Sequence, residues 1–195
     1  MTASRLAEPL MIETGVTYRQ AFLMLQGAYV TKRVTEVVRG MPTLVKVPGH
    51  GLTDGWPAWL EVTGGCSCIA HPRNAAPFYA DVVDADTLRF TNDNTTGQQA
   101  PQQALLIYSP PEDLSGVESA VFEIYSLPDR QLIDSFTSAA GEVLVDPAGK
   151  VTLQLSAART GGLTWSKGRF RLLLTLSNGD VVPKLLGDFH TRKEL

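Results

Sequence analysis

The sequence predicts an all-β protein, a sandwich or a barrel, on three observations. Short runs that alternate apolar and polar side chains recur along the chain, about ten of them. Glycine, proline, asparagine and aspartate separate these runs at close spacing, and no stretch carries the apolar period of a long helix. Many short strands with closely spaced turns are typical of sandwiches and barrels.

The clearest element is a hairpin within residues 168–189. Two alternating apolar runs meet at the dipeptide Asn178-Gly179, which is the strongest short hairpin signal because a type I′ turn needs positive φ at both central residues. Proline lacks an N–H, so a sheet edge or a bulge is expected at Pro183. A two-residue loop predicts three facing pairs: Leu176 with Val181, Leu174 with Pro183, and Leu172 with Leu185.

The other strands are predicted from the same alternation. Residues 12–25 are interpreted as one strand, whose second half is apolar on both faces and is therefore expected to be buried or to contact another subunit. Ser156 is expected to cap a single helical turn. Further strands are predicted on either side of residues 40–42 within 34–47, and then at 59–63, 78–83, 87–90, 105–108, 117–125, 131–136, 142–145 and 151–155.

Length and composition bound the class of protein. A chain of 195 residues is enough for one large domain or two small ones. Its net charge of −3 argues against nucleic-acid or acidic-lipid binding. No apolar run approaches the roughly 20 residues of a membrane span. The first residues lack the basic start and apolar block of a signal peptide, so synthesis in the cytoplasm is expected.

The two cysteines, Cys66 and Cys68, are separated by one residue. A reduced pair is expected, because this spacing is awkward for a relaxed disulfide. A metal site is not expected, since a structural zinc usually takes four ligands and only His71 is near.

Three segments have a familiar pattern: Ile12-Glu13-Thr14-Gly15-Val16-Thr17-Tyr18-Arg19, Asp113-Leu114-Ser115-Gly116, and residues 149–158 with 168–174. Together they resemble the immunoglobulin-like domain of tail and baseplate proteins of tailed bacteriophages, in particular the N-terminal domain of upper baseplate proteins of lactococcal phages. The resemblance implies an immunoglobulin-like β-sandwich whose first strand is separated from the rest by a long insert.

The insert has a resemblance of its own. Residues 43–55, which contain His50-Gly51-Leu52, together with residues 59–64 and 86–90, are similar to the "HGL" β-module of phage tail proteins, a small β-barrel. The two resemblances imply three parts: an N-terminal arm (1–10), a sandwich built from 11–33 and 112–195, and an inserted β-module (34–111).

The resemblance implies a virion structural protein that acts as an adaptor at the tail, baseplate or neck and anchors fibres or neighbouring subunits. Its partners would be other virion proteins and copies of itself, in trimers or hexamers, and the arm and the sheet edges would dock on them. Two alternatives stay open: a capsid decoration or head-fibre protein, and a carbohydrate-binding module that stacks host-surface glycan on Trp56, Trp59 and Tyr79.

No enzyme, cofactor or metal is expected. His50 lies between two glycines, where a turn explains it, and no nucleophile elbow or glycine-rich phosphate loop is present. For the tryptophans, packing in the core or in a loop is the default interpretation, and an exposed interface anchor is the alternative. The candidate interface residues are Trp56, Trp59, Tyr79, Phe22, Leu23 and Leu25.

Overall fold

The computed structural model describes residues 5–6, 8–65, 67–91, 93–127 and 129–192. The chain divides into two compact units: Met1–Met24 with Glu112–Leu195, called here the sandwich unit, and Leu25–Pro111, called the inserted unit. Apart from one helical turn, the regular structure is β-strand, so the predicted all-β class is confirmed.

The strands, in chain order, are β1 (Arg5–Leu6), β2 (Leu10–Glu13), β3 (Tyr18–Leu23), β4 (Val30–Arg33), β5 (Glu36–Val38), β6 (Thr43–Lys46), β7 (Pro57–Thr63), β8 (Phe78–Tyr79), β9 (Asp81–Asp84), β10 (Thr87–Phe90), β11 (Gln103–Tyr108), β12 (Val117–Tyr125), β13 (Leu132–Thr137), β14 (Val143–Asp146), β15 (Lys150–Leu155), β16 (Lys167–Leu176) and β17 (Val181–Arg192). The helical turn α1 (Ala157–Gly161) is capped as predicted, since the Ser156 side chain accepts from the Arg159 N–H.

The sandwich unit consists of two sheets. In the larger sheet β17, β16, β12 and β13 follow one another, and β1 and β2 both pair with β17 in parallel; the smaller sheet has the order β14-β15-β3. Side chains of both sheets form one core, because the alternation turns one face of each strand inward. Fully buried core residues include Phe122, Phe136, Phe170 and Phe189 from the larger sheet and Val151 and Leu153 from the smaller.

The Asn178-Gly179 hairpin forms, but its loop has three residues. The Gly179 N–H donates to the Leu176 carbonyl (2.8 Å), and the Leu176 N–H donates to the Asp180 carbonyl (2.9 Å). Within the loop, Gly179 alone has a positive φ, +84°. The loop is therefore a type I turn followed by a glycine in the left-handed conformation. The predicted register is therefore wrong next to the turn, where β16 and β17 are offset by one residue.

A β-bulge further along the same hairpin restores the predicted pairing. Thr175 pairs with Val181 and Leu173 with Pro183, yet Leu172 pairs with Leu185 because the register shifts between Leu172 and Leu173. The shift leaves one extra residue, Lys184, on β17. The bulge expected beside Pro183 is thus present, although Pro183 faces Leu173 and not Leu174.

Residues 12–25 are not one strand. The chain turns at residues 14–17, where the Gly15 N–H donates to the Thr160 hydroxyl (3.1 Å) and that hydroxyl donates to the Val16 carbonyl (2.8 Å). The turn separates β2, which pairs with β17, from β3, which pairs with β15. The same stretch therefore contributes to both sheets of the sandwich unit.

The N-terminal arm was expected to dock on other proteins, but part of it pairs with a strand of its own chain. Arg5 and Leu6 form β1 beside Leu185 and Leu186, and β2 starts at Leu10. Residues 1–4 and 7 lie outside the described residues.

The inserted unit has two four-stranded sheets, with the orders β5-β6-β10-β9 and β4-β11-β7-β8. Only two residues separate β4 from β5, and only Ala80 separates β8 from β9, so the chain passes from one sheet to the other at both places. Such passages form the corners of orthogonally packed sheets. A closed barrel stays a prediction.

The two ends of the inserted unit meet. Leu25 and Pro111 form a bridge, and the Gln26 N–H donates to the Pro110 carbonyl (3.0 Å). In the sandwich unit the Glu112 N–H donates to the Met24 carbonyl (2.8 Å). The boundary therefore lies at residues 24 and 25, earlier than the predicted 33 and 34, because β4 pairs with β11 of the inserted unit.

Candidate functional site

The tryptophans of the inserted unit point to opposite sides of its sheet. Trp56 and Ala58 are fully buried, whereas Pro57 and Trp59 are half-buried, because side chains alternate along β7. The Trp56 indole N–H donates to the Ser109 carbonyl (2.8 Å) inside the unit. Trp56 therefore cannot act as an exposed interface anchor or as part of a stacking platform, and that expectation is corrected.

Tyr79 is the most exposed of the predicted interface residues, at 69%. It lies directly opposite Pro57 in the β7–β8 pair, so it emerges on the same side of the sheet as Trp59, two residues further along β7. Of the three aromatic residues proposed as a platform, the structure thus keeps two on one face.

Tyr79 lines a cavity of about 280 Å³, called here the Tyr79 pocket. The pocket lies where the chain passes from β8 to β9, beside the end of β10. It is lined by His71, Phe78, Tyr79, Asp81, Arg89, Phe90, Thr91 and Asp93.

A fixed polar array forms one part of this pocket. Asp81 and Arg89 face each other across the β9–β10 pair, and the Arg89 Nε and Nη2 donate to the two Asp81 oxygens at 2.8 and 2.9 Å. The Thr91 hydroxyl donates to Asp81 Oδ2 (2.9 Å). The hydrogen bond from Arg89 lowers the pKa of Asp81 below its usual range, so both charges persist at neutral pH.

Three rings stack beside the array. Phe78 and Phe90 lie 4.8 Å apart between ring centroids, and the His71 ring lies 5.2 Å from Phe78. Tilted contacts at these distances stabilise aromatic pairs, so the three rings support one another in the wall of the pocket. Only Tyr79 extends its ring into solvent.

A second aromatic contact lies on the neighbouring part of the same unit. The Tyr29 ring meets Trp59 edge-on at 5.7 Å, and the Arg73 guanidinium lies 4.6 Å above Tyr29. The Trp59 indole N–H donates to the Ala75 carbonyl (3.0 Å). These contacts hold Trp59 in place.

The apolar interface residues of the first segment have different surroundings. Phe22 packs against the sandwich core, with its ring 5.3 Å from Phe122. Leu23 is half-buried and lines a groove of about 470 Å³ between β2 and β3. Leu25 is half-buried and forms the bridge to Pro111. Phe22 thus contacts the core and also lines the groove beside Leu23, whereas Leu25 does not line it.

The edge strand β13 of the sandwich unit exposes two apolar side chains. Leu132 is 56% and Ile133 38% exposed, and among the described strands β13 pairs only with β12. An unpaired edge is a template for a strand of another chain. Sequence reasoning did not single out these residues, because nothing local marks a strand as the last in its sheet.

A third cavity, of about 440 Å³, lies on the sandwich unit between the end of β12 and strands β16 and β17. Three arginines, Arg130, Arg169 and Arg171, line it together with Tyr125, Leu127 and Leu186. Two of the arginines pair with carboxylates: Arg171 with Glu123 at 2.7 Å and Arg169 with Asp188 at 3.3 Å. Most of its positive charge is therefore compensated.

His50 has the structural surroundings that its glycine-flanked position predicted. The ring is buried; Nδ1 accepts from the Leu52 N–H (3.0 Å) and Nε2 lies 3.0 Å from the Asp84 carbonyl. A ring that accepts at Nδ1 and donates at Nε2 is neutral. Among the described residues, no group of three His, Cys, Asp or Glu side chains is placed to hold a metal ion.

The expectation of a reduced cysteine pair is wrong for Cys68, which is disulfide-bonded; Cys66 lies outside the described residues. In an extended strand, residues two apart are separated by roughly 7 Å, which is too far for the bridge. The described residues between 64 and 77 carry no strand, so this limit does not apply to Cys68.

No protein-family model matches the chain, and no curated protein matches it. Within the part of the chain that is described, no helix is long and apolar enough to cross a membrane.

Proposed function

We propose that the protein is a structural component of a tailed-phage virion, acting as an assembly adaptor at the tail, baseplate or neck. One observation carries the proposal: strands from both sides of residues 25–111 belong to one sandwich, while those residues form sheets of their own. β2 and β3 pair with β17 and β15 across this insert. The resemblance of the sequence to phage modules implies an interruption of this kind.

The edge of β13 is the docking surface that best suits such a role. A strand from a neighbouring copy or another virion protein can pair with the first part of β13, where Leu132 and Ile133 supply the apolar contact. Further along β13, side chains already bind the N–H and carbonyl of Ser135 and the N–H of Thr137. Virion proteins assemble in rings, so self-association to a trimer or hexamer is the expected state.

The proposal is tested on the purified full chain by sedimentation velocity over a range of concentrations. We expect a trimer or hexamer that Ile133→Lys weakens by at least about tenfold in dissociation constant, because a lysine on the edge opposes strand pairing. Val181→Lys is the matched control, since Val181 is also exposed (56%) but lies beside the hairpin turn.

A chain that stays monomeric contradicts self-association, and an oligomer that Ile133→Lys leaves intact contradicts self-association through β13. A reconstruction of the virion that contains the protein then shows where in the particle the protein lies. Density at the tail, baseplate or neck supports the adaptor role; density on the capsid supports the alternative of a decoration or head-fibre protein.

A further inference from the structure

The Tyr79 pocket combines an exposed aromatic side chain with a pair of oppositely charged side chains. Tyr79 is 69% exposed and offers an aromatic face to solvent, and a paired carboxylate and guanidinium line the same pocket. Both members of the pair remain accessible, because the Asp81 side chain is 34% and the Arg89 side chain 46% exposed. Small-molecule sites are typically concave and aromatic, with a few fixed polar groups.

The polar array still has groups to offer a ligand. The pair with Asp81 engages Nε and Nη2 of Arg89, which leaves the Nη1 N–H groups outside it. The Thr91 hydroxyl donates to Asp81, so its oxygen can still accept. The Arg89 N–H donors and the Thr91 oxygen acceptor can therefore bind adjacent hydroxyl groups of a ligand, because each hydroxyl both donates and accepts a hydrogen bond.

The charge of the pocket limits the ligand further. Two carboxylates, Asp81 and Asp93, and one guanidinium line the cavity. This balance disfavours phosphate and carboxylate ligands and suits a neutral or amino group. A volume of about 280 Å³ holds a group the size of one ring and lies just below the roughly 300–1,000 Å³ of typical ligand cavities.

From these observations we propose that the Tyr79 pocket binds one residue of a neutral or amino saccharide. The ring of Tyr79 stacks against the C–H face of the sugar, and Asp81, Arg89 and Thr91 bind its hydroxyls. Trp59 emerges on the same side of the sheet two residues from the position opposite Tyr79, so it borders the path of a longer glycan.

The saccharide site does not depend on the virion role or on docking through β13. It differs from the platform expected from the sequence, because Trp56 is buried and the polar array was not foreseen. A side chain of a partner protein could also enter a pocket of this size, and the experiment separates the two ligands.

The test begins with the full chain on an array of neutral, amino and acidic glycans, followed by calorimetric titration of a bound glycan. We expect neutral or amino glycans to bind. Tyr79→Ala and Asp81→Asn should each weaken binding by at least about tenfold. Met41→Ala is the matched control, because Met41 is equally exposed (69%) in the same unit and does not line the pocket.

Three results overturn the proposal. The first is that the wild-type chain binds no glycan at millimolar concentration. The second is glycan binding that survives Tyr79→Ala in a variant with an unchanged circular dichroism spectrum. The third is binding of acidic glycans alone that Arg169→Ala abolishes, which would assign the site to the arginine-lined cavity. Loss of self-association in Tyr79→Ala without glycan binding in the wild type would make the pocket a protein contact.

Discussion

At the scale of single residues, His50 explains how a polar ring is accommodated inside the inserted unit. Its two nitrogens bind the Leu52 N–H and the Asp84 carbonyl, and its own carbonyl accepts from the Tyr108 hydroxyl. A buried polar group costs stability only when it lacks partners. The ring therefore joins the loop after β6 to the turn after β9.

Replacing this ring tests its structural role. His50→Ala leaves the buried Leu52 N–H without its acceptor and opens a cavity, so the free energy of unfolding should fall by about 2–4 kcal/mol. Urea unfolding followed by tryptophan fluorescence measures it. His190→Ala, on β17 of the sandwich unit, is the control and should cost much less; equal losses would remove the special role of His50.

Tyr18 links stability to alkaline pH. Burial raises its pKa from 10.0 to about 12, so the unfolded chain releases the phenol proton first. The stabilisation is complete below pH 10 and is lost as the pH rises from 10 to 12. We expect Tyr18→Phe to reduce this alkaline loss by about 1 kcal/mol, a value lowered for the partial exposure of the ring.

The measurement is the free energy of unfolding in urea at pH 8 and pH 11.5 for both proteins. Tyr29→Phe should keep the wild-type fall, because it leaves Tyr18 in place. An identical fall in wild type and Tyr18→Phe would show that the phenol does not carry the effect.

At the scale of elements, the larger sheet of the sandwich unit depends on a close backbone approach between β12 and β16. A Cβ on the buried Gly168 would lie 2.6 Å from the Tyr125 carbonyl oxygen and 3.4 Å from Ile124 Cγ2. The obstacle is backbone, which cannot move without shifting the strand. A side chain at this position therefore disturbs the pairing on which the core is built.

Gly168→Ala should accordingly destabilise the protein by about 1–3 kcal/mol, the usual cost of overpacking. Thermal or urea unfolding measures the loss. Gly116→Ala is the matched control, since its added methyl would meet nothing closer than the Ser177 hydroxyl at 3.9 Å. Wild-type stability in Gly168→Ala would mean that the two strands can separate slightly at no cost.

At the scale of the whole molecule, the chain leaves the sandwich unit after Met24 and returns to it at Glu112, and these two residues lie side by side. Leu25 and Pro111 form a bridge, and the Met24 carbonyl accepts from the Glu112 N–H. Insertions are tolerated where the two ends of the inserted piece lie close together. The sandwich unit has its own core, so it is expected to fold without the insert.

We therefore predict that replacing residues 26–110 with Asn-Gly yields a folded sandwich unit, because that dipeptide closes a tight turn between antiparallel strands. A dispersed amide NMR spectrum and cooperative urea unfolding would confirm it. A collapsed spectrum would show that the sandwich needs the inserted unit to fold.

The individual strands were largely predictable, whereas their pairing outside the hairpin of β16 and β17 was not. Residues 87–90 and 117–125 form the strands that their alternation predicts, because period-two burial is recorded locally. β4 was missed, since two of its four residues are charged. The break in residues 12–25 depends on Thr160, far along the chain.

The candidate site divides in the same way. The sequence indicated Trp59 and Tyr79 as candidate interface residues. The ion pair of Asp81 with Arg89 was not predictable, because it depends on the register of β9 and β10. The burial of Trp56 depends on which side of β7 faces the interior of the unit. The register of two strands, and which side of a strand faces the core, depend on how the strands pair and pack. The sequence of a single strand does not determine them.

By itself, then, the sequence determined an all-β chain with its turns, most of its strands and its structural histidine, because these follow from interactions between near neighbours. Only the tertiary structure decided the boundary after Met24, the pairing of Pro183 with Leu173 and the polar array in the Tyr79 pocket. Each of these requires two distant segments to meet, and their side chains acquire a common environment only when they do.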